Sequence, residues 1–362
     1  MRPPVWLRAT VAVAATAGPF LVAALPAVGF GDEQAMGWLG VAPLVASLVL
    51  GWRLTALAGA AAVLAAGALA LVDPGDAPRG AALRWAVVLA LAAFAVLNCV
   101  LRERREARLR AVSEVARTAQ SAILQPVPSR AGAWSFAARY RSANRAASVG
   151  GDLVEVVEVG GGRVRVVMGD VRGKGLPAVR LAATTLAAFR EASLRPDLPL
   201  PEVVRLVDHS VAAATGDEDF VTAVFLELDP GGWVQTVNCG HPPPLRLSAR
   251  DAHVSQLTPS AFSTPLGLSP ACRPDTFTAD PGDRVLLLTD GLLEARDTGG
   301  VMLPPELLAQ ALRSEDVEAV VDGVVAAALA HADGHLDDDL AVLVAELQPE
   351  RASGAGPEGH GG

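Results

Sequence analysis

The stretch Val164-Arg165-Val166-Val167-Met168-Gly169-Asp170-Val171-Arg172-Gly173-Lys174-Gly175-Leu176-Pro177-Ala178 passes from an apolar strand through a glycine-rich turn into a helix. Its opening residues are mostly β-branched, which favours extended chain. Pro177 suits the first turn of a helix, where its missing N–H costs nothing. Asp170 therefore falls at the end of a strand, just before the turn.

Working outward, the same arrangement recurs. Residues 154–159 form a strand that pairs with 163–168 around Gly160-Gly161-Gly162, and Asp152 stands at its start after Gly150-Gly151. Asp290 ends the apolar strand 284–289 and precedes Gly291, while Asp338-Asp339 immediately precedes the apolar strand 340–347. A second hairpin joins 220–228 to 233–238 through Asp229-Pro230-Gly231-Gly232. Helices are expected at 177–192, 201–214, 305–312 and 317–330. One acid beside a glycine is an ordinary turn. Four such positions, each at the edge of an apolar strand, favour a common site. Carboxylate oxygens are hard donors, which suit Mg²⁺ or Mn²⁺.

Five motifs occur in order: Gly150-Gly151-Asp152; Met168-Gly169-Asp170 through Pro177-Ala178; Asn238-Cys239-Gly240-His241-Pro242-Pro243-Pro244; Leu288-Thr289-Asp290-Gly291-Leu292-Leu293-Glu294-Ala295; and Asp338-Asp339-Leu340. Together they make residues 125–347 resemble the SpoIIE-type bacterial branch of the metal-dependent type 2C protein serine/threonine phosphatases. With its membrane part, the chain resembles the actinobacterial membrane-anchored form. The resemblance implies an αββα sandwich and a site for two ions, Mn²⁺ or Mg²⁺. It implies that Asp170 bridges both ions, that the Val171 carbonyl adds a ligand, that Asp152 holds one ion, and that Asp290 and Asp338 hold the other. Asp338 matches the motif better than its neighbour Asp339. Asp170 and Asp152 are the expected catalytic pair, acting through metal-activated water. The implied substrates are phosphoserine and phosphothreonine on anti-sigma-factor antagonist proteins.

Two departures stand out. Many relatives carry Tyr-Asp shortly after Gly-Gly-Asp, where this chain has Val154-Glu155. Eukaryotic relatives place a histidine two residues after the bridging aspartate, where this chain has Arg172. Arg172 and Lys174 are candidate phosphate contacts or solvated loop bases. The departures also admit another reading, a catalytically weak or inactive membrane regulator that binds phosphoprotein partners. His241 reads as a turn-fixing residue ahead of a catalytic acid. No Gly-x-Ser-x-Gly elbow is present, so Ser-His-Asp hydrolysis has no support.

The rest of the chain sets the context. Of 362 residues, 51% are hydrophobic, concentrated before residue 102. Residues 1–125 hold 11 Lys/Arg against 7 Asp/Glu, net +4, and the remainder 19 against 32, net −13. So acidic a second part cannot coat phosphates, which excludes nucleic-acid binding. Apolar stretches at 9–30, 38–51, 54–72 and 83–101 predict about four transmembrane helices. The second is short for a bilayer core; a cleaved signal peptide is the alternative for the first, disfavoured because further spans follow and no clean cleavage site is present. Arg2, Arg8, Arg53 and the run Arg102, Arg104, Arg105, Arg108, Arg110 place both termini in the cytoplasm by the positive-inside rule. No ionisable residue lies mid-span, which leaves transport unsupported. Residues 102–126 read as a helical linker with an apolar stripe at Leu109, Val112, Ala116, Ala119 and Ile123. That stripe suits either packing on the catalytic domain or a parallel homodimer. Three cysteines without a Cys-x-x-Cys spacing predict neither a disulfide framework nor a zinc site.

The chain is thus expected to be α+β: a membrane domain (1–101), the linker (102–126), an αββα phosphatase domain (127–348) and a disordered tail (349–362). It is expected as a multi-pass protein of the cell membrane with its catalytic domain in the cytoplasm.

Overall fold

The computed structural model describes residues 5–23, 32–72, 78–141, 151–216, 219–336 and 338–349. Gly150, His360 and nearly all of the expected tail lie outside these residues. Two compact units divide at Ala111/Val112, inside a single long helix.

The first unit contains helices α1 (Val5–Ala23), α2 (Asp32–Val49), α3 (Trp52–Val72) and the first part of α4 (Pro78–Ile123). Two of these are long and apolar enough to cross a membrane: α3 over Trp52–Leu69, and α4 from Trp85 onward. The first two stretches hold shorter apolar helices, Ala9–Pro19 and Trp38–Val49. Small residues let the helices approach closely. Ala58, Ala62, Ala65 and Ala66 are fully buried, and a β-carbon on Gly59 would stand 3.1 Å from that of Ala92.

Where α2 ends and α3 begins, two consecutive residues of α4 satisfy the exposed helix termini. Arg102 donates to the carbonyls of Ser47, Leu48 and Leu50 at 2.6–3.1 Å. Glu103 accepts from the Trp52 N–H at 3.1 Å. Each charge complements the helix end it meets. Arg102, read from sequence only as part of a basic flank, is thus also a helix cap. The linker does not begin at a break: α4 runs unbroken from the apolar segment to Ile123.

The second unit is a pair of antiparallel sheets between helices. Strands β1 (Arg130–Ala131), β2 (Trp134–Arg141), β7 (Leu245–Leu247), β8 (Val254–Gln256), β10 (Arg284–Leu288) and β11 (Leu340–Leu347) form one sheet, ordered β1-β2-β11-β10-β7-β8. Strands β3 (Leu153–Val159), β4 (Arg163–Val171), β5 (Val221–Leu228), β6 (Trp233–Cys239) and β9 (Pro274–Thr278) form the other, ordered β3-β4-β5-β6-β9. Side-chain alternation sorts each strand between two cores. Val164, Val166 and Met168 of β4 meet Val285, Leu287, Leu343 and Ala345 between the sheets. Val167 of the same strand faces outward against α5 (Leu176–Ser193) and α6 (Leu200–Ala214), with Leu186, Phe189, Val203 and Val207. On the opposite outer face, Leu286, Leu288, Val342 and Val344 pack under α8 (Pro305–Leu312) and α9 (Val317–His331). This is the αββα sandwich expected for the domain.

The linker's stripe meets the second unit at its end. Ala116 is fully buried with Val179 of α5, and Ala119 and Ile123 join them. Leu109 and Val112 stay exposed. Arg190 of α5 caps the helix by donating to the Ile123 carbonyl at 3.1 Å, and its guanidinium also pairs with Glu155 of β3. The unusual Glu155 therefore serves as the partner of Arg190.

Candidate metal centre

Strand ends deliver the acids. Asp152 precedes β3, Asp170 is the penultimate residue of β4, Asp290 opens the short helix α7 (Asp290–Leu293) directly after β10, and Asp338-Asp339 leads into β11. β3 and β4 are hydrogen-bonded neighbours, as are β10 and β11, so each sheet contributes two of the four positions.

Two glycines allow the segments to close on one another. A β-carbon on Gly151 would lie 2.6 Å from the Val171 carbonyl oxygen, and one on Gly291 would lie 1.9 Å from that of Asp339. Only glycine permits such backbone approach. The glycines of these motifs therefore bring Asp152 to the end of β4 and Asp290 to the start of β11.

The carboxylates sense each other. Asp152 is buried, and its pKa stands well above the usual carboxylate range, first through burial and then through the charges of Asp170 and Asp339. Asp170 is pushed up to about 7 by burial and by Asp290 and Asp338, against a hydrogen bond with Asp152 that pulls the other way. Asp290 is raised by burial, then by Glu294 and Asp338. Among the described residues, no three acidic, histidine or cysteine side chains already close a cage around a metal-sized point. The raised pKa values show that burial and mutual charge disfavour the ionised acids, and a bound cation would offset both. The donor set is all oxygen, from four chain segments, which fits Mn²⁺ or Mg²⁺.

The basic candidates differ in placement. Lys174 Nζ donates to Asp338 Oδ1 at 2.9 Å, so one end of the site already carries a positive charge. Arg172 lies over the Phe220 ring, 5.2 Å from its centre. Asp338 is half-exposed, whereas Asp339 is buried. Val171 is buried in the outer core beside α5.

His241 is buried between the strand ends. Asn238 clasps its backbone on both sides, accepting from its N–H at 2.9 Å and donating to its carbonyl at 2.8 Å. Its Nδ1 lies 3.1 Å from Thr222 Oγ1. Burial lowers its pKa to about 3, so the ring is neutral at ordinary pH and has no imidazolium proton to give.

Several site residues carried no role in the sequence reading. Thr289 Oγ1 donates to Asp152 Oδ2 at 3.2 Å and accepts from the Ala341 N–H at 2.9 Å. It thereby ties Asp152 to both β10 and β11. Tyr140 donates to Asp339 Oδ2 at 2.5 Å. Thr289 lay inside a quoted motif, directly before Asp290. Tyr140 lay in a strand without a motif.

Among solved structures, the RsbU and RsbW domains of a Mycobacterium tuberculosis protein match at 25% identity with a TM-score of 0.53, over 62% of this chain and 62% of that one. The present chain thus spans less than two thirds of that structure. The SiaA-PP2C domain of Pseudomonas aeruginosa matches at 17% identity with a TM-score of 0.54, over 68% of this chain and 98% of that one, which shows that the sandwich is the PP2C fold. No curated protein sequence matches the chain. The sequence model of the family described as Stage II sporulation protein E (SpoIIE) matches residues 160–348, a range that holds Asp170, Asp290, Asp338 and Asp339 and begins after Asp152. With just over half of its length matched in this way, the chain belongs to the SpoIIE family.

Proposed function

We propose that the chain is a membrane-anchored protein serine/threonine phosphatase that works with a pair of Mn²⁺ or Mg²⁺ ions. The observation that carries this reading is the convergence of Asp152, Asp170, Asp290 and Asp338-Asp339 from two sheets, with three of their pKa values raised by burial and mutual charge. When bound, the ions supply Lewis acidity and an activated water for in-line attack on phosphorus.

The chain's own residues do the rest. Asp170, which feels the charges of Asp290 and Asp338 and hydrogen-bonds with Asp152, would be the ligand common to both ions, and the Val171 carbonyl would be a further ligand. Asp152, braced by Thr289, would hold one ion; Asp290 and Asp338, with Asp339 as a neighbour, would hold the other. Lys174, on Asp338, and Arg172, two residues past Asp170, are the candidate phosphate contacts. Neutral His241 holds the strand ends together.

Phosphorylated anti-sigma-factor antagonists are the substrate class that the family resemblance implies. The apolar helices anchor the chain in the cell membrane with the catalytic domain in the cytoplasm, and exposed Leu109 and Val112 offer a seam for a homodimer through the linker.

The test is phosphate release from a phosphoserine peptide by the full chain in lipid nanodiscs. Turnover with Mn²⁺ that stops in EDTA is expected. Undiminished turnover in EDTA would sink the reading, and no turnover under any metal would favour a binding regulator.

A further inference from the structure

Tyr140 is the chain's single tyrosine. On β2 it pairs with Ala341 of β11, two residues past Asp339. Its hydroxyl accepts from Gln120 Nε2 at 3.1 Å and donates to Asp339 Oδ2 at 2.5 Å. The direction is set by chemistry: the Gln120 amide N–H can only donate, so the hydroxyl accepts there and turns its own proton to the carboxylate oxygen. A hydroxyl on a carboxylate forms a charge-assisted bond, short and roughly twice as strong as a neutral one.

The effect passes along the chain. Asp339 is 4% exposed, and its backbone N–H donates to Asp338 Oδ1 at 2.9 Å. That oxygen is also the one held by Lys174. Fixing the Asp339 carboxylate therefore fixes the peptide that orients Asp338. A buried tyrosine needs some hydrogen-bond partner, and any carbonyl would satisfy that need. Here the partner belongs to the acid group.

We infer that Tyr140 is a positioning residue for the metal centre: its hydroxyl locks Asp339 and, through the Asp339 peptide, aims Asp338 at a divalent cation. This rests on the reading of the acids as metal ligands. Outer hydrogen bonds of this kind change metal affinity by about 10–100-fold.

The experiment compares the full chain with Tyr140→Phe in nanodiscs, a change that removes one oxygen and keeps the ring. Calorimetric titration with Mg²⁺ alone should show binding weakened by roughly tenfold or more. The Mn²⁺ concentration for half-maximal turnover should rise in the same ratio, while kcat at saturating Mn²⁺ stays within about threefold. A purely structural tyrosine would lower the melting temperature and leave the affinity unchanged, and that result overturns the inference. Should Tyr140→Phe fail to fold, 3-fluorotyrosine incorporated into the wild-type sequence gives one ¹⁹F resonance. It should shift saturably with Mg²⁺ and stay still in Asp338→Asn. An unmoved wild-type resonance at Mg²⁺ concentrations that saturate calorimetry also overturns it. If the wild type binds no Mg²⁺ by calorimetry, the metal reading itself has failed and the inference falls with it.

Discussion

Gly291 lies directly against the chain of Asp339: a β-carbon at 291 would sit 1.9 Å from the Asp339 carbonyl oxygen. No rotamer relieves such a contact, because the backbone fixes the β-carbon and the oxygen it meets is itself backbone. Gly291→Ala must push α7 away from the start of β11 and separate Asp290 from Asp338. We expect a loss of roughly 1–3 kcal/mol or more in stability. Mn²⁺-dependent turnover should fall further than the lost stability explains. Thermal melts and phosphate release measured side by side check both.

Burial and like charges give Asp170 a pKa of about 7 in the absence of metal, against an unfolded value near 3.8. Between these values the folded state holds more protons than the unfolded one. The stability of the metal-free protein should therefore rise as pH falls from above 7 towards 4, as far as this group is concerned. Asp170→Asn removes the penalty. In EDTA at pH 8 it should be more stable than wild type by on the order of a few kcal/mol, yet inactive with Mn²⁺. Melting curves of both proteins from pH 5 to 8 would show the difference closing at the acid end.

His241 has the opposite sign. Its pKa falls from 6.5 to about 3 on burial, so between those values the unfolded state takes up a proton that the folded state refuses. Stability is full above 6.5 and is lost as pH drops towards 3. Replacing the ring by Asn should flatten this acid limb at the cost of the contact with Thr222. A His241→Asn protein whose melting temperature falls as steeply as wild type below pH 6 would contradict the assignment.

Arg190 spans Glu155 and the Ile123 carbonyl. Arg190→Ala strands a carboxylate that is only 4% exposed and uncaps the end of α4. A cost of about 2–4 kcal/mol follows. The double variant Arg190→Met, Glu155→Leu should recover most of it, because an apolar pair leaves no buried charge. Additive losses in that double-mutant cycle would show that the two residues do not form a unit.

What could be read in advance follows from how local the signals are. Asp170 and Asp290 were legible because each follows an apolar run beside a glycine; β10 ends with its run, while β4 continues three residues past Met168 to Val171. β2 was missed because Ser135, Ala137, Ala138 and Arg139 carry little strand preference. It is a strand through its pairing with β11, a partner some 200 residues away. The short β7, β8 and β9 were missed for the same reason. Tyr140, Thr289 and Arg190 act through hydrogen bonds across elements, and no spacing along the chain announces such contacts. The glycines beside the acids looked like turn formers, whereas Gly151 and Gly291 are required by close backbone approach.

The most direct measurement is Mn²⁺ binding and phosphate release on the same preparation of full chain, for wild type, Asp170→Asn and Asp290→Asn. The wild type should bind Mn²⁺ in equilibrium dialysis and dephosphorylate a phosphoserine peptide, and each variant should stay folded while losing roughly a hundredfold or more of the rate together with metal affinity. Wild-type turnover without bound metal, or an Asp170→Asn protein that turns over as fast as wild type, would contradict the account.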